Sequence, residues 1–150
     1  MHKKFPIKDL APLIVQSVES GGRFKIYPRG TSMLPLIKEG HTAVSLVKAN
    51  AVSKGDIVLY QRANGQYVLH RCVKIKGDEY LMCGDNQFVF EHGITRDMIV
   101  ATIDGYYPGE EFVSISDARY RRYVRHLPLR RCRKRLKYYL WAIKRRIFKK

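Results

Sequence analysis

A serine, a histidine and two carboxylates are spaced along this chain as the parts of a nucleophilic hydrolase would be. Ser32 lies in the run Pro28-Arg29-Gly30-Thr31-Ser32-Met33-Leu34-Pro35-Leu36. Gly30, two positions before it, lets the backbone turn tightly, and Pro35 restricts the backbone on the other side, so the serine sits at a fixed strand-to-turn junction. A hydroxyl held this way can point into a cleft while the serine's own backbone N–H serves an oxyanion. The plain alternative is an ordinary loop serine. His70 lies in Val68-Leu69-His70-Arg71-Cys72-Val73, where strand alternation puts Val68, His70 and Cys72 on one face and Leu69, Arg71 and Val73 on the other. A neutral imidazole, with an ordinary pKa of about 6.5, can take a proton from a serine hydroxyl at neutral pH; the alternative is a structural histidine. The third segment is Met82-Cys83-Gly84-Asp85-Asn86-Gln87, followed by Phe90-Glu91. A glycine turn carrying carboxylates can return to orient His70 as the third member of a triad does, or it can be a plain Asx turn.

These segments need a scaffold of short strands. A helix is expected over residues 7–20, capped by Asp9, with Pro12 in its first turn, Leu10, Leu13, Ile14 and Val18 on one face, and Gly21-Gly22 stopping it. From Arg23 to Ser114 the pattern changes to Phe24–Tyr27, Thr42–Val47, Ile57–Gln61, Tyr67–Ile75, Tyr80–Cys83, Met98–Asp104 and Phe112–Ser114 as strands. Asn64-Gly65 predicts a hairpin with positive φ at both turn positions, and Lys76-Gly77-Asp78 a second turn. The fold class is therefore mainly β: a curled or barrel-like antiparallel domain with a short N-terminal helix and a C-terminal helical tail. Residues 1–22 form the N-terminal helix, 23–115 the β domain and 116–150 the tail. In the tail, Ser116 or Asp117 caps a helix with Tyr120, Tyr123, Val124 and Leu127 on one side, interrupted by Pro128. Beyond it, Leu129, Cys132, Leu136, Leu140, Ile143 and Ile147 are spaced 3, 4, 4, 3, 4, one apolar stripe with Tyr139 and Trp141 near its edges.

Taken together and in order, the segments resemble the signal peptidase I family of serine endopeptidases, in its microsomal and archaeal branch with a histidine base. Gly30-Thr31-Ser32-Met33-Leu34-Pro35 matches the G-x-S-M-x-P nucleophile box, Lys54-Gly55-Asp56-Ile57-Val58 the K-G-D-I-V box, and Gly84-Asp85-Asn86 the G-D-N box. Val68-Leu69-His70-Arg71 falls where the general base is found, and Ile94 to Ile103 resembles the closing strand, so the likeness covers roughly residues 24–104. The resemblance implies the signal peptidase/LexA-like fold, with Ser32 as nucleophile, His70 as base, a cleft beside Ser32, Met33 and Pro35, and a peptide or preprotein substrate with small side chains at the cut and two before it. Glu91 is the position matching the family's orienting carboxylate; Asp85 stands as the alternative and reads better as a supporting group. Where bacterial signal peptidases place a second oxyanion hydroxyl, two positions before the nucleophile, this chain has Gly30. The LexA-type autoproteases share the fold but use a lysine base, a DNA-binding domain and an Ala-Gly cleavage site. This chain has no Ala-Gly dipeptide, and 22 residues before the β domain are too few for a helix-turn-helix domain. Where the family carries an N-terminal transmembrane anchor, a short soluble helix is expected here, a layout that resembles short bacterial proteins of the same peptidase clan.

Charge separates the tail from the rest. All 13 acids lie at or before Asp117, and residues 119–150 hold 15 of the 29 Lys+Arg, leaving the first 118 residues nearly neutral at 14 basic against 13 acidic. A basic amphipathic helix suits an anionic membrane surface, with Arg130, Arg131, Lys134, Trp141 and Arg145 as contacts. Non-specific nucleic-acid binding is a weaker use of the same charge, since phosphate contact needs no apolar face, and a solvated or core-packed helix is the bland one. Three cysteines, Cys72, Cys83 and Cys132, form no CxxC pair, so no disulfide framework, metal or cofactor is expected. The basic start, Met1 to Phe5, is followed by no long apolar segment or cleavage site, which favours a protein that is cytoplasmic or peripheral on the cytoplasmic membrane. The functional expectation is a membrane-associated serine endopeptidase cleaving signal- or leader-like peptides. The alternatives are an inactive scaffold of the same fold at the membrane, or a nucleic-acid-associated regulator.

Overall fold

The structure is a computed structural model describing residues 6–147; the basic segment Met1 to Phe5 and the last three residues of the tail lie outside the described residues. Helix α1 (Ile7–Glu19) is followed by strands β1 (Phe24–Ile26), β2 (Ala43–Val47), β3 (Ile57–Gln61), β4 (Tyr67–Lys76), β5 (Glu79–Cys83), β6 (Glu91–Thr95), β7 (Ile99–Tyr107) and β8 (Val113–Ser114), and by helix α2 (Ala118–Ile147). The eight strands form one antiparallel sheet in the order β1-β2-β7-β3-β4-β5-β6, with β8 on the side of β7. The fold is mainly β with a helix at each end, as its run of short strands implies. The sheet is open, since β1 and β6 are its ends, and bulges at Ser45/Leu46, Leu59/Tyr60, Cys72/Lys74 and Tyr80/Met82 bend it.

Both faces of the central strands are buried, which is why β2 and β3 read as nearly unbroken apolar runs. One core gathers Ile14 and Val18 of α1 with Met33, Ile37, Leu46, Leu59 and Leu69. The other gathers Val58, Tyr60, Cys72, Met82 and Ile94. The two faces of β4 thus meet different cores, as strand alternation requires.

Five local expectations change. Asp9 is not the cap of α1: the helix starts directly after Pro6, and Asp9 stands inside the first turn, where its charge still favours the helix N-terminus. Pro12 lies deeper in that helix than its first turn. In the β3–β4 hairpin only Gly65 has positive φ; its N–H closes the turn on the Arg62 carbonyl, and Arg62 N–H bonds the Gln66 carbonyl, so Asn64 keeps a negative φ. Ile94 to Ile103 is not one strand: the turn Arg96–Met98 divides it into β6 and β7. Finally, Pro128 does not interrupt α2. It is exposed and removes a single backbone bond, while side chains before and after it hold the same helix face against the β domain.

Candidate functional site

The turn after Pro28 presents Ser32. Met33 and Ile37 are buried and anchor the turn in the core, and Ile37 N–H bonds the Met33 carbonyl at 3.0 Å. Ser32, half-buried, then faces a cleft of about 250 Å³ that His70 also lines, together with Arg29, Tyr67, Val68 and Gln87. Among the described residues the Ser32 N–H has no acceptor, so it is free to meet a developing oxyanion. No hydrogen bond joins Ser32 Oγ to His70 in this structure; such contacts commonly tighten only around substrate. Pro35 is exposed and stands outside the cleft lining, contrary to its expected place there.

The G-D-N turn is what holds Ser32. Asn86 N–H bonds the Ser32 carbonyl at 2.7 Å, and Asn86 Nδ2 bonds the Thr31 carbonyl at 3.0 Å. Gly84 is required by contact, since a Cβ there would lie 2.6 Å from the Ser32 carbonyl oxygen. Asp85 turns away from His70. It forms a bidentate pair with Arg71 at 2.7 and 2.6 Å, with both side chains buried, and accepts from Tyr123 Oη at 3.1 Å. Arg71 also donates to the Gly55 carbonyl at 2.6 Å and to Tyr120 Oη at 2.9 Å. Burial works against the Arg71 charge, but the Asp85 bonds outweigh it and hold the guanidinium more firmly protonated than usual. Asp85 is thus taken up by Arg71 and Tyr123, and Glu91 is the carboxylate that approaches His70.

Glu91 reaches His70 mainly through a third residue. Tyr60 Oη donates to Glu91 Oε2 at 2.7 Å and lies 3.3 Å from His70 Nδ1, whereas Glu91 Oε2 itself is 3.9 Å from that nitrogen. With the hydroxyl proton committed to the carboxylate, Tyr60 Oη accepts from His70 Nδ1–H, which leaves Nε2 as the bare lone pair a base needs. Burial lowers the His70 pKa below its ordinary value, partly opposed by the Glu91 charge, so the ring is neutral at neutral pH. Arg62 grips Glu91 with Nε at 2.6 Å and Nη2 at 2.8 Å, and these bonds hold the carboxyl below the usual range. Burial, then Glu91, pushes the Tyr60 hydroxyl well above an ordinary tyrosine, so it stays protonated. Neither Tyr60 nor Arg62 is named by motif spacing, but the hairpin register carries the signal: Val58 sits opposite His70, which puts Tyr60 on the same face one step along.

The tail residues divide by helix face. At about 100° per residue, Tyr120, Val124, Leu127, Arg131, Lys134 and Tyr138 form one row along α2. That row lies on the β domain: Tyr120 and Leu127 are buried, Arg131 Nη2 is 3.6 Å from Asp85 Oδ1, Lys134 Nζ is 2.5 Å from Asn86 Oδ1, and the Tyr138 ring is 5.3 Å from that of Phe88. Arg131 and Lys134 are thus engaged with the turn behind Ser32 and are not the free membrane contacts expected of them. Trp141, about 100° beyond Leu140, continues this row beside Tyr138 and under Arg145, not the edge of the apolar stripe. Arg130 is exposed and lies over the Tyr123 ring. The stripe from Leu129 to Ile147 points the opposite way and is exposed throughout.

Cys72, Cys83 and Cys132 are free thiols, and among the described residues no three His, Cys, Asp or Glu side chains are grouped to hold a metal. Among the described residues no helix is long and apolar enough to cross a membrane. No protein-family model matches the chain, and no curated protein is significantly similar to it.

Proposed function

We propose that this chain is a serine endopeptidase of the signal peptidase type, acting by Ser32 and His70. The observation that carries the reading is the shared cleft: Ser32 and a buried, neutral His70 line it together, and the histidine is backed by Tyr60 and an ionised Glu91. In this mechanism Ser32 Oγ attacks the scissile carbonyl carbon as His70 Nε2 takes the hydroxyl proton, and the Ser32 N–H bonds the oxyanion. Collapse breaks the C–N bond, with His70 giving its proton to the leaving amine. Water then repeats the sequence on the acyl-enzyme and restores Ser32. The imidazolium formed at each step is stabilised through Tyr60 by the Glu91 charge.

An extended peptide fits the site. β5 pairs with β4 only from Arg71 onward, so the edge of Tyr67–His70 beside the cleft is free to hydrogen-bond a substrate main chain. In the same reading, the outer face of α2 holds the enzyme peripherally on an anionic membrane surface. Its stripe spans only about 80° of the helix and is exposed, with Arg133, Lys137 and Lys144 flanking it. The 15 cations without one acid between residues 119 and 150 disfavour a second copy against this helix, and each of those beside the stripe, such as Arg133, Lys137 and Lys144, contributes about 1 kcal/mol near an anionic leaflet. The direct test is a fluorophosphonate or peptidyl active-site serine probe on the full chain. Labelling is expected at Ser32, absent in Ser32→Ala and strongly slowed in His70→Ala; labelling elsewhere, or unchanged in Ser32→Ala, refutes the reading.

A further inference from the structure

We infer that Gln87 supplies the second oxyanion donor, the one that Gly30 cannot; this inference rests on Ser32 being the nucleophile. A tetrahedral oxyanion is best held by two converging donors, and a side-chain amide serves as well as a backbone N–H. Gln87 lines the Ser32 cleft and also the adjoining pocket of about 430 Å³ that holds His70 and Glu91, so it stands at the junction of the two.

Its amide is oriented by the loop itself. Gln87 N–H closes the turn on the Gly84 carbonyl at 3.0 Å, and Gln87 Oε1 accepts from Gly84 N–H at 3.3 Å. That second bond turns the oxygen end of the amide toward the loop and the NH₂ end away from it. Among the described residues Nε2 has no acceptor. Gly84 leaves room for both neighbours: the point where its Cβ would stand is 2.6 Å from the Ser32 carbonyl oxygen and 2.8 Å from Gln87 Oε1. The Ser32 carbonyl and the Gln87 amide therefore both flank Gly84, and the Asn86 N–H bond to the Ser32 carbonyl ties this turn to the serine.

Of the other amides near the cleft, Asn86 donates Nδ2 to the Thr31 carbonyl while its Oδ1 accepts from Lys134, and Gln66 is held toward Arg62, whose Nη1 bonds its Oε1 at 2.6 Å. Arg62 itself is bound by Glu91 through Nε and Nη2 and by Gln66 through Nη1. Unlike Gln66, Gln87 carries its unpaired donor on the same turn whose Asn86 N–H bonds the Ser32 carbonyl.

The test uses the full chain, a peptide cut by the wild type, and a peptide aldehyde of the same sequence as an oxyanion-forming inhibitor. Gln87→Glu keeps the acceptor for Gly84 N–H and replaces the donor by a negative oxygen, so the loop should hold while the oxyanion is repelled. Gln87→Met removes the amide at similar length. Both are expected to lose about 10²-fold or more in kcat with KM changed little, Gln87→Glu being the worse. Aldehyde affinity should fall in step with kcat/KM in both variants, while in Gln87→Met, which adds no charge, the acid limb of the pH profile, set by His70, stays in place. Wild-type kcat and aldehyde affinity in Gln87→Glu overturn the assignment, as does a loss confined to KM. A wild type that neither cleaves nor labels at Ser32 is a different failure: it overturns the peptidase reading, and this inference with it.

Discussion

The chemistry of the site turns on how one histidine is kept neutral yet supported. Burial lowers the His70 pKa, and the nearby Glu91 charge partly raises it again. Because only the neutral ring can act as base, activity should fall on the acid side with a midpoint below the ordinary histidine value of about 6.5. Glu91→Gln removes the raising charge, so the acid limb should move to still lower pH while kcat falls about 10²-fold. Tyr60→Phe should also cut kcat, since it removes the acceptor of Nδ1–H but leaves the carboxylate in place. A pH–rate profile of each variant checks this, and an acid limb that moved upward in Glu91→Gln would contradict the relay. Asp85 predicts a different result. It is fully buried against Arg71, so Asp85→Asn leaves a buried guanidinium half-paired and should cost about 3–5 kcal/mol in chemical denaturation. Asp85→Asn should shift the acid limb less than Glu91→Gln does, because the Asp85 charge raises the His70 pKa less than the Glu91 charge. Sequence order brought both carboxylates to the site, but their roles were legible only partly. The likeness pointed to Glu91, and Asp85 read as a supporting group, yet nothing in the spacing reveals that a tyrosine stands between Glu91 and His70.

At the scale of elements, the turn Gly84–Gln87 is the hub, because it ties Ser32 on one side and is gripped by α2 on the other. Arg131, Lys134 and Tyr138 meet Asp85, Asn86 and Phe88 in succession along one helix face. Lys134→Ala with Tyr138→Ala should therefore lower kcat several-fold while the melting temperature shifts by only a few degrees. Unchanged turnover would show that the helix does not help to hold the site. Strands were legible where apolar residues dominate, as in β2, β3 and β4. β6 was missed because Glu91-His92-Gly93-Ile94-Thr95 offers one buried apolar residue, and its backbone pairing with β5 makes the strand. Likewise, α2 passes through Pro128 because packing on both sides of the proline outweighs one lost backbone bond, a balance invisible to local propensity.

For the whole molecule, α2 presents two different faces, one against the Gly84–Gln87 turn and one left open with its apolar stripe. Tyr120 and Tyr123 bond the buried Arg71–Asp85 pair, so removing the tail would damage the fold itself. The membrane reading is better tested on the outer face alone, with Leu136→Glu and Leu140→Glu, both exposed in the folded chain. Sedimentation with phosphatidylglycerol-containing liposomes should show binding that rises with anionic lipid, weakens with salt and is lost in the double variant. Binding that persists unchanged in the double variant would remove the stripe from the interface, and preference for DNA over such vesicles would favour the nucleic-acid partner. The amphipathic stripe was readable from spacing, but which cations flank it was not, because a row of one helix face can be claimed by the protein's own interior. The most direct measurement is hydrolysis of an extended peptide with alanine at the cut and two before it, by the wild type, Ser32→Ala, His70→Ala and the double variant. Members of one catalytic unit are non-additive, so all three variants should fall to the same low residual rate; near-full activity in His70→Ala, or further loss in the double variant relative to each single one, would contradict the Ser32–His70 mechanism.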